Sequence, residues 1–107
     1  MLESNSHFEH LIQQIIFLLK KNESKRWVPI FKEFLHDCKT KQTGELVKKI
    51  LSIYGGMGSF NDLVIQRDHK ILVKEDEQLD KLREELSDAC VAYVILDEEG
   101  NIIDFKE

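Results

Sequence analysis

Three kinds of residue in this 107-residue chain could carry chemistry: a glycine cluster, a scatter of histidines and cysteines, and a surplus of carboxylates. The cluster Gly55-Gly56-Met57-Gly58 holds three of the five glycines within four residues. Glycine reaches positive φ without steric penalty, so the cluster marks a bend or a close backbone approach. A phosphate cradle is the obvious chemistry to test. Such loops follow a strand, open a helix and often end in lysine. Here the apolar pattern before the glycines is helical, the next lysine is Lys70, and no helical pattern starts at once. Nucleotide binding is not expected.

The histidines are His7, His10, His36 and His69. His7 and His10, three apart, share a helix face, but no cysteine or second carboxylate pair falls at ligand spacing beside them. No metal and no cofactor are expected. Cys38 and Cys90 could each pair with a histidine for nucleophilic catalysis, yet nothing in the local sequence lowers either thiol's pKa. They read as reduced core residues. The carboxylates lie on one helix face and in one turn, which a solvated surface explains before acid/base catalysis does. No catalytic set emerges, and the chain reads as something other than an enzyme.

Charge is uneven. Residues 1–53 hold nine Lys/Arg against six Asp/Glu, a balance of +3, whereas residues 54–107 hold six against fourteen, a balance of −8. Phosphate contacts need clustered Lys/Arg, so DNA and RNA are poor partners. An acidic half instead favours a basic partner, because opposite fields steer association. It also serves simple solubility. The 42% hydrophobic and 33% charged content fits a folded chain, and the length fits one domain, 1–107, with a helical half 1–54 and a mixed acidic half 55–107. The first ten residues carry no basic run, and no apolar run, Ile15 to Leu19 among them, comes near the roughly 20 residues that span a bilayer. A cytosolic protein without a membrane partner is expected.

The elements follow from periodicity. Phe8, Leu11, Ile12, Ile15, Ile16 and Leu19 line one face of a first helix over about 6–21, with Ser4 or Ser6 as cap, and Phe17 and Leu18 widen its stripe. Trp27, Ile30, Phe31, Phe34, Leu35 and Cys38 line a second helix over about 25–39, with Ser24 as cap and Pro29 as the awkward residue. Leu46, Val47, Ile50, Leu51 and Tyr54 line a third, capped by Thr43 and stopped by Gly55 as a C′ glycine. Leu63–Ile65 and Ile71–Val73 flank the polar turn Arg67–Lys70, as a small hairpin or as a strand and a helix lead-in. Asp76 caps a fourth, acidic helix to Ala89. Val91–Leu96 and Ile102–Phe105 form a hairpin around 97–101, with extension of the fourth helix through Val94 as the rival reading. The expected class is α+β: an antiparallel layer of three N-terminal helices, a Gly-rich turn, a fourth acidic helix and a small antiparallel C-terminal hairpin.

Over Ile53-Tyr54-Gly55-Gly56-Met57-Gly58-Ser59-Phe60-Asn61-Asp62-Leu63-Val64 the chain resembles a family of small bacterial single-domain proteins of unknown biochemical function, which carry helices first and a similar motif near the middle. The wider set of such small acidic domains is similar to the immunity proteins of polymorphic toxin systems, including contact-dependent growth inhibition. That resemblance implies a chain that binds and neutralises a cognate toxin domain, in these systems often a basic nuclease. It supplies no catalytic residue. On this reading the partner-binding surface is Glu77, Asp80, Glu84, Asp88, Asp97, Glu98 and Glu99. A second candidate is the motif loop: Gly55, Gly56, Met57, Gly58, Ser59, Phe60, Asn61 and Asp62. The competing reading of that loop is a structural turn, with Phe60 and Leu63 packed inward and Asn61 or Asp62 capping backbone. The alternative function is a small regulatory or adaptor domain for another protein.

Overall fold

The first apolar stripe folds as its spacing dictates. In the computed structural model, which describes residues 5–55 and 57–107, α1 spans Ser6–Leu19 and buries Phe8, Leu11, Ile12, Ile15, Ile16, Leu18 and Leu19. Phe17 does not widen the stripe: its ring is exposed, with the Lys21 ammonium 4.7 Å from its centroid. Ser4, one of the two cap candidates, lies outside the described residues, and Asn5 occupies the N-cap position. α2 spans Val28–Thr40 and α3 spans Thr43–Leu51. α2 starts three residues later than its stripe suggests because Pro29 is accommodated in the first turn, where its missing N–H leaves no bond unmade. Trp27, not Ser24, is its cap.

Asn5 joins the three helices at one end. It is fully buried, its amide donates to the carbonyls of Cys38 (3.1 Å) and Lys41 (3.0 Å), and its Oδ1 accepts from Thr43 Oγ1 at 2.7 Å. The last carbonyls of a helix have no partner within it, so Asn5 satisfies the end of α2 and fixes the start of α3 together. Thr43 therefore serves a cross-helix bond and is the first residue of α3, with Gln42 at the cap position. A second link between α2 and α3 is the buried Asp37, whose carboxylate accepts from Lys49 Nζ at 2.5 Å. That bond holds the Lys49 pKa above its ordinary value.

α3 ends at Leu51 with Ser52 as cap, and the positive-φ glycines among the described residues are Gly58 and Gly100. Gly55 is thus not a left-handed helix stop. The helix ends by tightening, with Ile53 and Tyr54 amides bonded to Ile50 and Leu51 carbonyls at 3.2 Å. A 3₁₀ turn, Phe60–Asp62, follows.

The first hairpin sits further inward than the apolar runs suggest. β1 is Gln66–Arg67 and β2 is Lys70–Ile71, paired antiparallel across Asp68-His69, both at positive φ. That is the backbone a two-residue turn demands. Ile65 is thereby left free to enter the core.

α4, Val73–Val91, is longer at both ends than expected. Leu72 takes the cap position, and Asp76 instead accepts the Ile65 amide at 3.0 Å. The helix also takes two residues expected to be strand or turn, so β3 is only Val94–Leu96, pairing antiparallel with β4, Ile102–Phe105. The expectation of a hairpin holds; the helix runs two residues past Ala89 but not to Val94, which opens β3. α1 packs against α2 and α4, and α3 against α2, α4 and β4. One core cluster joins Phe8, Phe31, Phe34, Leu46, Ile50, Phe60, Leu79 and Leu86. The architecture is α+β, as the patterning predicts. Among the described residues no helix is long and apolar enough to cross a membrane.

Candidate functional site

The glycine motif is organised by Phe60. Its ring is fully buried, 4.8 Å from Phe31, 5.5 Å from Trp27 and 5.7 Å from Tyr54 between centroids. Burying a ring of this size contributes roughly 2–3 kcal/mol. Around that anchor the loop bonds to itself. The Gly58 amide donates to Asp62 Oδ2 at 2.7 Å, Asn61 Nδ2 donates to the Gly55 carbonyl at 3.3 Å, and the Asn61 amide donates to Ser59 Oγ at 3.3 Å. Gly58, at φ 79°, makes the bend that needs a glycine. The geometry matches the structural-turn reading: Phe60 inside, Leu63 half-buried, Asn61 and Asp62 bonded to backbone. Met57 projects fully exposed at the tip. Gly56 lies outside the described residues.

Arg83 fastens this turn to α4. Its guanidinium donates to the carbonyls of Phe60 (2.6 Å) and Leu63 (3.1 Å), pairs with Asp80, and lies 5.4 Å from the Phe60 ring centroid. The Tyr54 hydroxyl returns a bond to the Arg83 carbonyl at 2.8 Å, and burial pushes that phenol's pKa up. A planar five-donor group suits two carbonyls and a carboxylate at once, which a lysine would not reach together.

The same clamp opens a cleft of about 380 Å³ between the motif and α4, lined by Tyr54, Asn61, Asp80, Arg83, Glu84, Ser87 and Asp88. Three of the seven expected acidic site residues, Asp80, Glu84 and Asp88, therefore meet one motif residue, Asn61, on a single concave surface. Positions 80, 84 and 88 are a turn apart on one helix face. Arg83, the one cation there, is committed to the two carbonyls and Asp80, so Glu84 and Asp88 remain exposed in the cleft.

The other four expected residues are placed elsewhere. Glu77 lines a separate groove with Lys74 and Lys81, which offset its charge. Asp97 is spent within its own turn: its Oδ1 accepts the Glu99 and Asn101 amides, each at 2.9 Å. Those backbone bonds hold its pKa below the usual value. Glu98 and Glu99 are exposed at the hairpin tip. A larger cleft of about 520 Å³ flanks the motif on the side of Asn22–Ser24 and Asp62–Gln66. Its side chains already have structural work: Asn22 Oδ1 accepts the Gln66 amide at 2.8 Å, and Asp62 accepts Gly58.

Cys38 and Cys90 are buried and unbonded to each other. Burial pushes their thiols up to about 11 and about 12. A thiol held that high is protonated at neutral pH and is a poor nucleophile. Among the described residues no three His, Cys, Asp or Glu side chains are grouped to hold a metal ion. Sequence reasoning missed Arg83, Asn5 and Tyr54 Oη. The first reads on the sequence as one more helix-surface charge, and only its contacts separate it from Lys81.

A family model described as a domain of unknown function (DUF6966) matches residues 20–73, half of the chain, from the end of α1 to the start of α4. No curated protein and no solved structure matches. Tyr54 and Asn61 fall inside the matched part, and Asp80, Glu84 and Asp88 outside it.

Proposed function

We propose that this chain, which belongs to the DUF6966 family, is an immunity-type protein that binds a basic toxin domain through the cleft between its glycine motif and α4. The observation that carries the reading is the pair Glu84 and Asp88, exposed in a concave site whose one arginine is already committed elsewhere. A partner's Arg or Lys entering there meets two carboxylates, the Asn61 side chain and the Tyr54 ring. Close charge pairs at such interfaces are worth about 1.5–7 kcal/mol in double-mutant cycles. A toxin that acts on nucleic acid carries its cations where phosphate docks, so an acidic cleft placed there competes with its substrate. The large negative balance of the second half adds long-range attraction. The matched half of the chain supplies one wall of the cleft, through Tyr54 and Asn61, and α4 supplies its charge.

The test is co-purification with the C-terminal domain encoded by the neighbouring reading frame. Tight capture, lost about 100-fold in a Glu84→Lys/Asp88→Lys variant whose circular dichroism is unchanged, is the expected result. Failure to capture it rules the immunity reading out. If a different basic cellular protein is then bound with the same charge dependence, the chain is the regulatory adaptor instead.

A further inference from the structure

The C-terminal hairpin has one blunted edge and one open edge. The Lys106 amide donates to the Tyr93 carbonyl and the Asp97 amide to the Asn101 carbonyl. With the pairings Val94↔Phe105, Ile95↔Asp104 and Leu96↔Ile102, antiparallel alternation points the N–H and C=O of Val94 and Leu96 away from β4. Among the described residues, no backbone hydrogen bond outside the helices and strands uses them. The outer edge of β4 is hindered at its C-terminal end. Asp104 Oδ1 accepts the outward Phe105 amide at 2.8 Å, and the Lys106 carbonyl lies against α3, 2.5 Å from where a Cβ on Gly44 would sit. Natural sheets blunt an edge with such devices when pairing there is unwanted. β3 carries no such side-chain lock; its edge is limited instead by its three-residue length and by the register shift between Ile95 and Leu96.

The open edge is also apolar. Leu96 and its cross-strand neighbour Ile102 are each 54% exposed, and Ile103 is 63% exposed. The exposed carboxylates of Glu98 and Glu99 stand at the strand's end, beyond Asp97 in its turn.

We propose that β3 is a strand-addition site that takes an extended segment of a partner protein carrying alternating apolar and basic side chains. Main-chain bonds to Val94 and Leu96 supply the register, Leu96 and Ile102 receive the apolar side chains, and the acidic tip selects lysine or arginine. Charge decides the occupant. A second copy of this chain also fits the edge, since Val94 and Leu96 could pair reciprocally about Ile95, but it would bring another net −5 and another acidic tip. This site is separate from the cleft, and either can fail without the other.

The probe is an octapeptide of alternating lysine and valine. Its controls are the glutamate–valine octapeptide and a lysine–valine octapeptide with alternate N-methylated amides. Saturable binding should slow exchange of the Val94 and Leu96 amides at least about tenfold, and both controls should bind at least about tenfold more weakly. A Leu96→Lys variant, altered at an exposed position, should lose the peptide and keep its fold. The Glu84→Lys/Asp88→Lys variant should bind as the native chain does. The proposal is overturned if the two amides stay unprotected, if the glutamate or N-methylated peptide binds equally well, or if the cleft variant abolishes binding. Concentration-dependent protection of Val94 and Leu96 without peptide assigns the edge to a second copy instead.

Discussion

The two halves of the molecule use their apolar residues in opposite ways. In α1–α3 nearly every large hydrophobic side chain is buried, with Phe17 the one large exposed exception among the described residues up to Gly55. From Met57 onward, Met57, Ile71, Val73, Val91, Ile95, Leu96, Ile102 and Ile103 are all exposed. The charge follows the same divide, +3 against −8. Residues that neither fill the core nor cap an element are free to meet something else, and contiguous exposed apolar groups rimmed by charge mark interaction surfaces. The contrast is between a scaffold that specifies itself and an acidic half that presents the surfaces on which the proposed partner binding rests. The family match, over residues 20–73, straddles the divide and takes in the joint between the halves.

That joint is where the comparison breaks most easily. Phe60 is the one aromatic of the acidic half inserted fully into the helical core, against Trp27 and Phe31. Phe60→Ala is expected to cost about 3–5 kcal/mol, the usual loss for a buried ring, with a matching fall in the urea midpoint. Because the ring also positions the motif, the variant should lose protection of the Gly58 amide along with global stability. An intact denaturation midpoint would mean the halves are not coupled through this ring.

Arg83→Met keeps most of the side chain's bulk and removes the clamp. It strands the Phe60 and Leu63 carbonyls and frees Asp80, at an expected cost of about 1–3 kcal/mol. The diagnostic is local. Amides of 58–63 should exchange faster while those of α1 and α2 exchange as before. Arg83→Lys should recover only part of the loss, since a point charge cannot serve both carbonyls and the carboxylate.

What the sequence makes legible follows from the same divide. Stripes at i, i+3, i+4 name the core of α1, α2 and α3 almost residue by residue, because periodicity is set by packing and packing is what those helices do. The motif's turn chemistry is equally readable, since Asn61 and Asp62 act within a few residues of themselves. Long-range polar bonds are not readable. Asn5 reaches Cys38 and Thr43, Asp76 reaches Ile65, and Arg83 reaches Phe60, while in the sequence Asn5 carries no signal, Asp76 reads as a cap and Arg83 as a surface charge. Misjudged helix ends have the same origin. Asp76 reads as the natural cap of α4, and the structure spends it on the Ile65 amide just before β1 and starts the helix at Val73. For the site, the acidic helix was visible but its division was not. Asp80, Glu84 and Asp88 join the motif while Glu77 falls among lysines and Asp97 folds its own turn.

Gly44 couples the halves at the opposite end, and its substitution should reverse a usual sign. In an exposed helix, glycine to alanine gains about 1 kcal/mol. Here the added Cβ would meet the Lys106 carbonyl at 2.5 Å, closer than real contacts allow, and the obstacle is backbone. Gly44→Ala should therefore displace the end of β4, costing about 1 kcal/mol or more once the helix gain is offset. Shifts in the Tyr93 and Lys106 amide resonances would report it. A net stabilisation would show that the hairpin yields freely, which would sharpen the contrast with the fixed helical half.

The smallest expected effect is confined to the hairpin tip and is read by pH. The Asn101 and Glu99 backbone amides bonded to Asp97 hold its pKa below the ordinary carboxylate value. A carboxylate with a depressed folded pKa contributes its stability above the unfolded value and loses it as pH falls through the folded one. Between neutrality and about pH 4 the turn should therefore be unchanged. As pH falls further, through that lowered pKa, the Glu99 and Asn101 amides should lose their bonded shifts together. Asp97→Asn should show the weakened turn at neutral pH, with no further change at those amides on acidification. Because the carboxylate is exposed, the core of α1–α3 should not register the transition, and Leu46 and Ile50 amides serve as the internal reference. Loss of those core signals in the same step would mean that the hairpin and the helical half unfold as one unit, and the separation between a self-sufficient scaffold and an appended acidic surface would fall.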